Sequence, residues 1–260
     1  MAPTPLVPDY AGPCLSNLVH ALTAPEPPEW LPAAATGASS HVLLLLDGLG
    51  WKQFMDRKHL MPTLAAMEGV PIHSVAPTTT ATALTSVTTG LAPCDHGVVG
   101  YRILVDGEVR NVLRWQLDGG DARRTLPPDE LQPVTPFLGL RPPVVTKAEF
   151  GTTGITLAHL RPARQHGRRE PSSIVVETAD LVDAGEPLVY AYYDGIDKIA
   201  HAEGLQDHYD AEIGFADELV SRVLDSVPDD TAVLVTADHG QVAVGDRTAE
   251  LPASVLDLVE

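Results

Sequence analysis

Between His41 and Gly50 the chain reads HVLLLLDGLG. Five apolar residues, Val42 to Leu46, run without a break into Asp47, with Gly48 and Gly50 just beyond. An apolar run of this length suits a strand buried on both faces, as in a parallel sheet. A carboxylate at the end of such a strand stands where open α/β sheets place their ligands. The glycines allow a tight backbone turn beside it.

The rest of the chain is compatible with that start. With 260 residues, 44% of them hydrophobic, it can build one large domain with a substantial core. No apolar run approaches the roughly 18 residues of a membrane span, and residues 1–14 lack a basic start and an apolar signal core. A cytoplasmic protein without membrane association is therefore expected. Cys14 and Cys94 are too few for a disulfide framework or a CxxC metal knuckle. The formal charge of −18, from 17 Lys+Arg against 35 Asp+Glu, repels a nucleic-acid backbone and argues against a nucleic-acid-binding module. It would repel small phosphorylated molecules as well, unless local cations such as bound metals reverse the field.

Residues 1–40 are rich in proline and read as a segment packed on the main domain, with a helix over 16–22 capped by Ser16. A helix is expected after Gly50, a further turn from Pro62, a short strand over 71–75, and a helix in the second half of the hydroxyl-rich stretch PTTTATALTSVTTG, closed by Gly90. Asp106-Gly107 between two strand-like runs predicts a hairpin, so 98–142 reads as a small insertion, a cap lying over a site. Strands are expected over 144–147, 187–193 and 231–236, and helices over 151–160 and 173–182. Ile213, Ala216, Val220, Val223 and Val227 recur at helical steps after Tyr209. Strands alternating with helices predict an α/β fold: a doubly wound, mainly parallel sheet with helices on both faces, over residues 41–260.

Three of these strands end in potential metal ligands: Asp47, Asp194/Asp197, and Asp238-His239. Carboxylate and imidazole together suit Zn²⁺ or a similar divalent ion. Asp197 and His201, spaced i, i+4, fall on one side of a helix and can grip one ion. Adjacent Asp238 and His239 would diverge within a strand but can converge at its end, where Gly240 frees the turn. Metal coordination would make a threonine hydroxyl a nucleophile, and Thr80 stands at the expected start of a helix, where free N–H groups favour an anion. Thr79 and Thr80 compete for that role and for capping, and periodicity does not choose between them.

The motifs LLLLDGLG, PTTTATALTSVTTGLAPCDHG, DGIDKIAHAEG and TADHG, in this order over roughly residues 41–240, resemble the alkaline phosphatase superfamily, nearest to its nucleotide pyrophosphatase/phosphodiesterase branch. The resemblance implies an alkaline-phosphatase-like fold carrying two divalent ions, usually zinc, across a phosphate site. It implies that Asp47, Asp238 and His239 hold one ion together with the nucleophile, and that Asp197 and His201 hold the other. It makes Thr80, the second threonine of a PTxT pattern, the nucleophile. The activity implied is hydrolysis of a small phosphorylated substrate, a phosphodiester or pyrophosphate, through a phospho-threonine.

Three departures from the family pattern accompany the resemblance. A further metal-binding histidine follows TADHG in the family, but no histidine follows His239 here; the expectation is a chain lacking the last part of the family domain, with an incomplete second metal site. Where relatives carry a phosphate-binding Asn, this chain has Tyr101 next to Arg102, and Arg102 is a candidate phosphate contact. The Phe-Pro-Asn after the nucleophile is Ala81-Thr82-Ala83. The alternatives kept beside a phosphodiesterase are a phosphomonoesterase or phosphonate hydrolase of the same superfamily, and a catalytically weak phosphate-binding relative. Neither cysteine lies in a sulfatase pattern, the length leaves no room for the inserted domain of the phosphoglycerate mutases, and His96 reads as structural.

Overall fold

The computed structural model describes residues 6–117 and 120–245. In chain order its strands are β1 (Ser40–Leu46), β2 (Arg102–Val105), β3 (Glu108–Asn111), β4 (Gln116–Leu117), β5 (Gly120–Asp121), β6 (Pro143–Lys147), β7 (Arg164–Arg168), β8 (Leu188–Tyr193) and β9 (Thr231–Thr236). Five of them form the main sheet, in the order β7-β6-β8-β1-β9, with every pairing parallel.

The unbroken apolar run of β1 is explained by its two faces. Val42, Leu44 and Leu46 enter one core with Ile174, Leu181 and Val182 of the helix Ser172–Asp183 and Ile213, Ala216, Val220 and Val223 of the helix Asp207–Ser226. Leu43 and Leu45 enter the other, with Leu15, Leu18 and Val19 near the N-terminus and Ala83, Leu84 and Val87 of the helix Thr80–Thr89. Each such side chain contributes about 1.5–3 kcal/mol on burial. A strand needs apolar residues at every position only when both faces are covered. β1 pairs with β8 on one side and β9 on the other, so the carboxyl ends of the three strands share one rim.

The hairpin forms as β2 and β3, with Asp106 and Gly107 both at positive φ. With β4 and β5 it makes a second, antiparallel sheet. Ile103, Val112, Trp115, Ala122 and Leu126 from this region share a core with Ala81, Ile155 and Ala158, so the small sheet leans on the helices Thr80–Thr89 and Gly154–Leu160.

Two local expectations differ from the structure, and one strand falls where none is expected. Ser16 does not cap a helix: it is buried in a 3-10 turn, Leu15–Asn17, and the helix begins at Leu18. Asn17 sets that boundary, since its Nδ2 donates to the Tyr10 and Gly12 carbonyls at 3.0 and 2.8 Å and ties the preceding loop down. Residues 71–75 form no strand, only a bridge between His73 and Cys14, because they run beside the N-terminal segment rather than along the sheet. Conversely, the basic stretch after Leu160 contains β7. It is a sheet-edge strand among the described residues, with only Arg168 fully buried, and so lacks the apolar pattern that reveals β6 or β8.

Candidate metal and phosphoryl site

The rim formed by β1, β8 and β9 gathers the chemistry. Asp47 continues the ladder one residue past β1, its N–H donating to the Tyr193 carbonyl at 2.9 Å. Asp238 and His239 follow β9. Both aspartates are buried. The loops that carry them touch at glycines. Gly48 has φ +81°, and a Cβ there would lie 2.7 Å from Gln241 Nε2 and 3.2 Å from Asp197 Cα of the helix Gly195–Glu203, while a Cβ on Gly50 would lie 2.5 Å from Gly240 Cα. Larger residues would force the two loops apart.

One oxygen of each aspartate is occupied and one is free. Asp47 Oδ2 accepts a short hydrogen bond from the Tyr192 hydroxyl. Asp238 Oδ1 accepts from Gly48 N at 3.1 Å and His239 N at 2.9 Å. The other oxygens, Asp47 Oδ1 and Asp238 Oδ2, are buried with no hydrogen-bond partner. They lie 3.3 and 3.4 Å from His239 Nε2. His239 Nδ1 sits 3.0 Å from the Gly240 carbonyl. A carbonyl only accepts, so Nδ1 carries the proton in that contact and Nε2 offers its lone pair.

Two anionic oxygens and one imidazole lone pair thus converge on one point, each buried or nearly so. Left alone, they repel and are desolvated. Burial, reinforced by the charges of Asp238 and Asp197, holds Asp47 well above the ordinary carboxylate range. Burial raises Asp238 to about 6. The three donor atoms lie within 4.8 Å of one another, and a divalent cation satisfies all three at once.

Thr80 completes the group. Thr79, with extended backbone, is the N-cap of the helix Thr80–Thr89, and its hydroxyl reaches Thr82 Oγ1 at 3.1 Å. Thr80, the first helical residue, turns its hydroxyl to His239 Nε2 at 3.0 Å. The helix therefore aims its unpaired first-turn N–H groups and the positive end of its dipole at the region of the cation donors.

Asp197 lies at the border of this group. Its Oδ1 is 3.9 Å from His239 Nε2, 3.5 Å from His201 Nε2, and accepts from Gln241 Nε2 at 2.7 Å. Both Asp197 and His201 stand on the helix Gly195–Glu203, one turn apart as the spacing predicts, and His201 is largely solvent-exposed. Asp194, the other carboxylate of that segment, faces away to Lys147 and Lys198. Arg102 is exposed on β2, with its guanidinium 5.8 Å from the Tyr101 ring centre. No hydrogen bond or ion pair among the described residues joins it to Asp47, Thr80, Asp238 or His239. Arg102 opens β2, in the small antiparallel sheet. His96 is buried between Ser86 Oγ at 2.8 Å and the Val98 N–H at 3.1 Å, and burial lowers it to about 4. Both ring nitrogens are engaged within the fold.

Several participants carry no sequence signature. Tyr192 is one of three tyrosines in LVYAYY, and only the facing of β8 toward Asp47 selects it. Gln241 holds Asp197, 44 positions away, and Gln53 Nε2 donates at 2.7 Å to the Gln241 carbonyl, 188 positions away. Beside His239 and Gly240, an apolar cleft of about 780 Å³ runs along β9, bordered by Trp30, Trp51 and Phe54. No helix among the described residues is long and apolar enough to cross a membrane.

Comparison with known proteins places this architecture. Murine ectonucleotide pyrophosphatase / phosphodiesterase 5, in an inactive form in complex with AMP, shares the fold at a TM-score of 0.55 and 15% identity, over 77% of this chain and 57% of that one. Another structure of the murine protein gives 0.53 at 14% identity, with the same coverage. Phosphonoacetate hydrolase from Sinorhizobium meliloti, in complex with phosphonoformate, overlaps at 0.48 and 20% identity, over 77% and 56% of the two chains. The chain thus spans a little over half the length of these structures. No curated protein matches the sequence. The family model described as type I phosphodiesterase / nucleotide pyrophosphatase matches residues 41–257, and the chain belongs to that family.

Proposed function

We propose that the chain is a metal-dependent hydrolase of phosphoric esters, acting on phosphodiester or pyrophosphate bonds through Thr80. The observation that carries this reading is the Thr80 hydroxyl at a helix N-terminus, 3.0 Å from His239 Nε2, with the two unpartnered carboxylate oxygens around the same nitrogen.

Asp47 Oδ1, Asp238 Oδ2 and His239 Nε2 would hold one divalent cation, and their mixed oxygen and nitrogen set suits zinc. Asp197 and His201 would contribute to a second. A cation bound there lowers the pKa of an adjoining hydroxyl and neutralises charge on phosphoryl oxygens. The protein's own part is positional. Tyr192 orients Asp47, the backbone N–H groups of Gly48 and His239 orient Asp238, and the Gly240 carbonyl fixes the His239 tautomer. The first-turn N–H groups of the helix Thr80–Thr89 receive the phosphoryl oxygens. Thr80 Oγ1 attacks phosphorus; its bond to phosphorus forms as the bond to the leaving oxygen breaks, and its proton ends on solvent or the leaving group. Water then cleaves the phospho-threonine and frees phosphate or a monoester. The apolar cleft beside His239 gives room to the organic part of the ester; nucleoside phosphates, of which AMP in the murine relative is an example, are esters of this kind.

The test is hydrolysis of bis-p-nitrophenyl phosphate by the zinc-loaded chain. Turnover that falls to background in Thr80→Ala, and after chelation, is expected. Turnover unaffected by Thr80→Ala would overturn the reading.

A further inference from the structure

Asp197 departs from the pattern of the other two aspartates. Asp47 and Asp238 each keep one oxygen for hydrogen bonds and turn the other, without a partner, to His239 Nε2. At Asp197 a single atom has both duties. Its Oδ1 lies 3.5 Å from His201 Nε2 and 3.9 Å from His239 Nε2, and the same Oδ1 accepts from Gln241 Nε2 at 2.7 Å. An ionised carboxylate only accepts, so the Gln241 amide presents its NH₂ end there.

The amide is held in this place by its surroundings. Gln53, buried on the helix Trp51–Arg57, donates from Nε2 to the Gln241 carbonyl at 2.7 Å. That bond ties the Gln241 backbone to the segment that follows β1. Gly48 leaves the space the amide fills, since a Cβ there would lie 2.7 Å from Gln241 Nε2. Beyond Gln241 the chain turns outward, with Val242 and Val244 exposed. The backbone is therefore fixed at Gln241, while the side chain keeps rotamers that lead away from Asp197.

The two sets of cation donors are thus prepared differently. In the first, Asp47 Oδ1 and Asp238 Oδ2 are buried and have no hydrogen bond to give up. In the second, the oxygen nearest both imidazoles is already engaged, and the partial positive charge of the amide N–H repels a cation at that oxygen. His201, 75% exposed, adds a hydrated ring and little burial to offset the loss. A hydrogen bond to a charged acceptor, once given up, weakens a competing equilibrium by roughly ten- to a hundredfold.

We propose that Gln241 is the gate of the second cation site. Its amide competes for Asp197 Oδ1, so the chain takes one divalent cation at Asp47, Asp238 and His239, and a second at Asp197 and His201 only once the amide has turned away. Gln241 acts through Asp197 and is a positioning residue. The inference rests on the two-cation reading given above and adds a control to it: the free metal concentration decides whether Asp197 is released.

Zinc titrated by calorimetry into the full, metal-stripped chain should bind tightly once, with a second step weaker by roughly tenfold or more, or too weak to detect. Gln241→Met keeps the length of the side chain and removes the donor. In this variant the second step should tighten by roughly tenfold or more while the first moves by less than about twofold. A loop merely loosened by the substitution would lose affinity, not gain it. The gain should vanish when Asp197→Asn is added to Gln241→Met, with thermal melts reporting that each variant is folded. Two wild-type steps closer than tenfold, a second step that Gln241→Met fails to tighten, or a gain that survives Asp197→Asn would each overturn the gate; the first is read on the wild type and needs no variant. Release of p-nitrophenol from bis-p-nitrophenyl phosphate in excess zinc reports on the hydrolase reading separately. Turnover with two equal steps removes the gate alone, and a gap that Gln241→Met closes without turnover keeps the gate and counts against the hydrolase.

Discussion

Thr80 Oγ1 lies 3.0 Å from His239 Nε2, although 159 positions separate the two residues. The contact joins the start of a helix on one side of the sheet to the end of β9. Thr80 is the first helical residue rather than the N-cap, and its hydroxyl is turned to His239 instead of to the helix backbone. Replacing Thr80 by alanine should therefore leave the melting temperature within a few degrees of wild type while kcat for bis-p-nitrophenyl phosphate falls at least a thousandfold. Thr80→Ser keeps the hydroxyl and should keep measurable turnover.

Tyr192 holds the oxygen of Asp47 that faces away from His239. Tyr192→Phe removes one hydroxyl from an otherwise apolar, buried ring and lets the carboxylate turn. Partners of this kind typically matter by about 10- to 100-fold in metal affinity. Zinc titration by calorimetry should show a loss of that order, with the far-ultraviolet circular dichroism spectrum unchanged.

Asp238 gives the metal-free chain a defined pH response. Its folded-state pKa is about 6, above the ordinary 3.8, because it is buried. A carboxyl raised on folding contributes its stability fully below about pH 4, and loses it as pH rises through about 6. Asp238→Asn stays neutral and can still accept from Gly48 N and His239 N. In chelator, the variant should match wild type near pH 4 and exceed it at pH 7, by on the order of 1–3 kcal/mol. Urea denaturation at the two pH values measures the difference; a gap that shrinks between pH 4 and pH 7 contradicts the assignment.

At Gly50 and Gly240 the Asp47 and Asp238 loops pass close to each other. Gly50→Ala places a methyl group 2.5 Å from Gly240 Cα, so backbone must shift, at a typical cost of about 1–3 kcal/mol. The expected result is a lower melting temperature together with weaker zinc binding, since the same shift separates the donors.

The sequence carried much of this arrangement because the strands that build the rim are buried. β1, β8 and β9 announce themselves by apolar content, and the ligand-type residues follow them directly. β7 escaped notice for the opposite reason: as an edge strand reading RQHGR it buries little beyond Arg168. Asp197 and His201 are one helical turn apart, as their spacing requires, and Arg102, read by its position after the CDHG motif, is an exposed residue of β2. Tyr192, Gln53 and Gln241 were beyond reach because their roles depend on which way a side chain points once distant segments have met. Asp194 and Asp197 look interchangeable in DGID; only the lysines of β6 and of the following helix separate them.

β9 pairs with β1 alone among the described residues, and it is β9 that delivers Asp238 and His239. An ion clasped between the tips of these two strands would rivet the margin of the sheet to its centre. Fraying at that margin and escape of the ion then become one equilibrium seen from two ends. Zinc at a hundredfold excess over its dissociation constant would add about 2.7 kcal/mol to the folded state, and slowed amide exchange in Thr231–Thr236 is where that gain should first be seen.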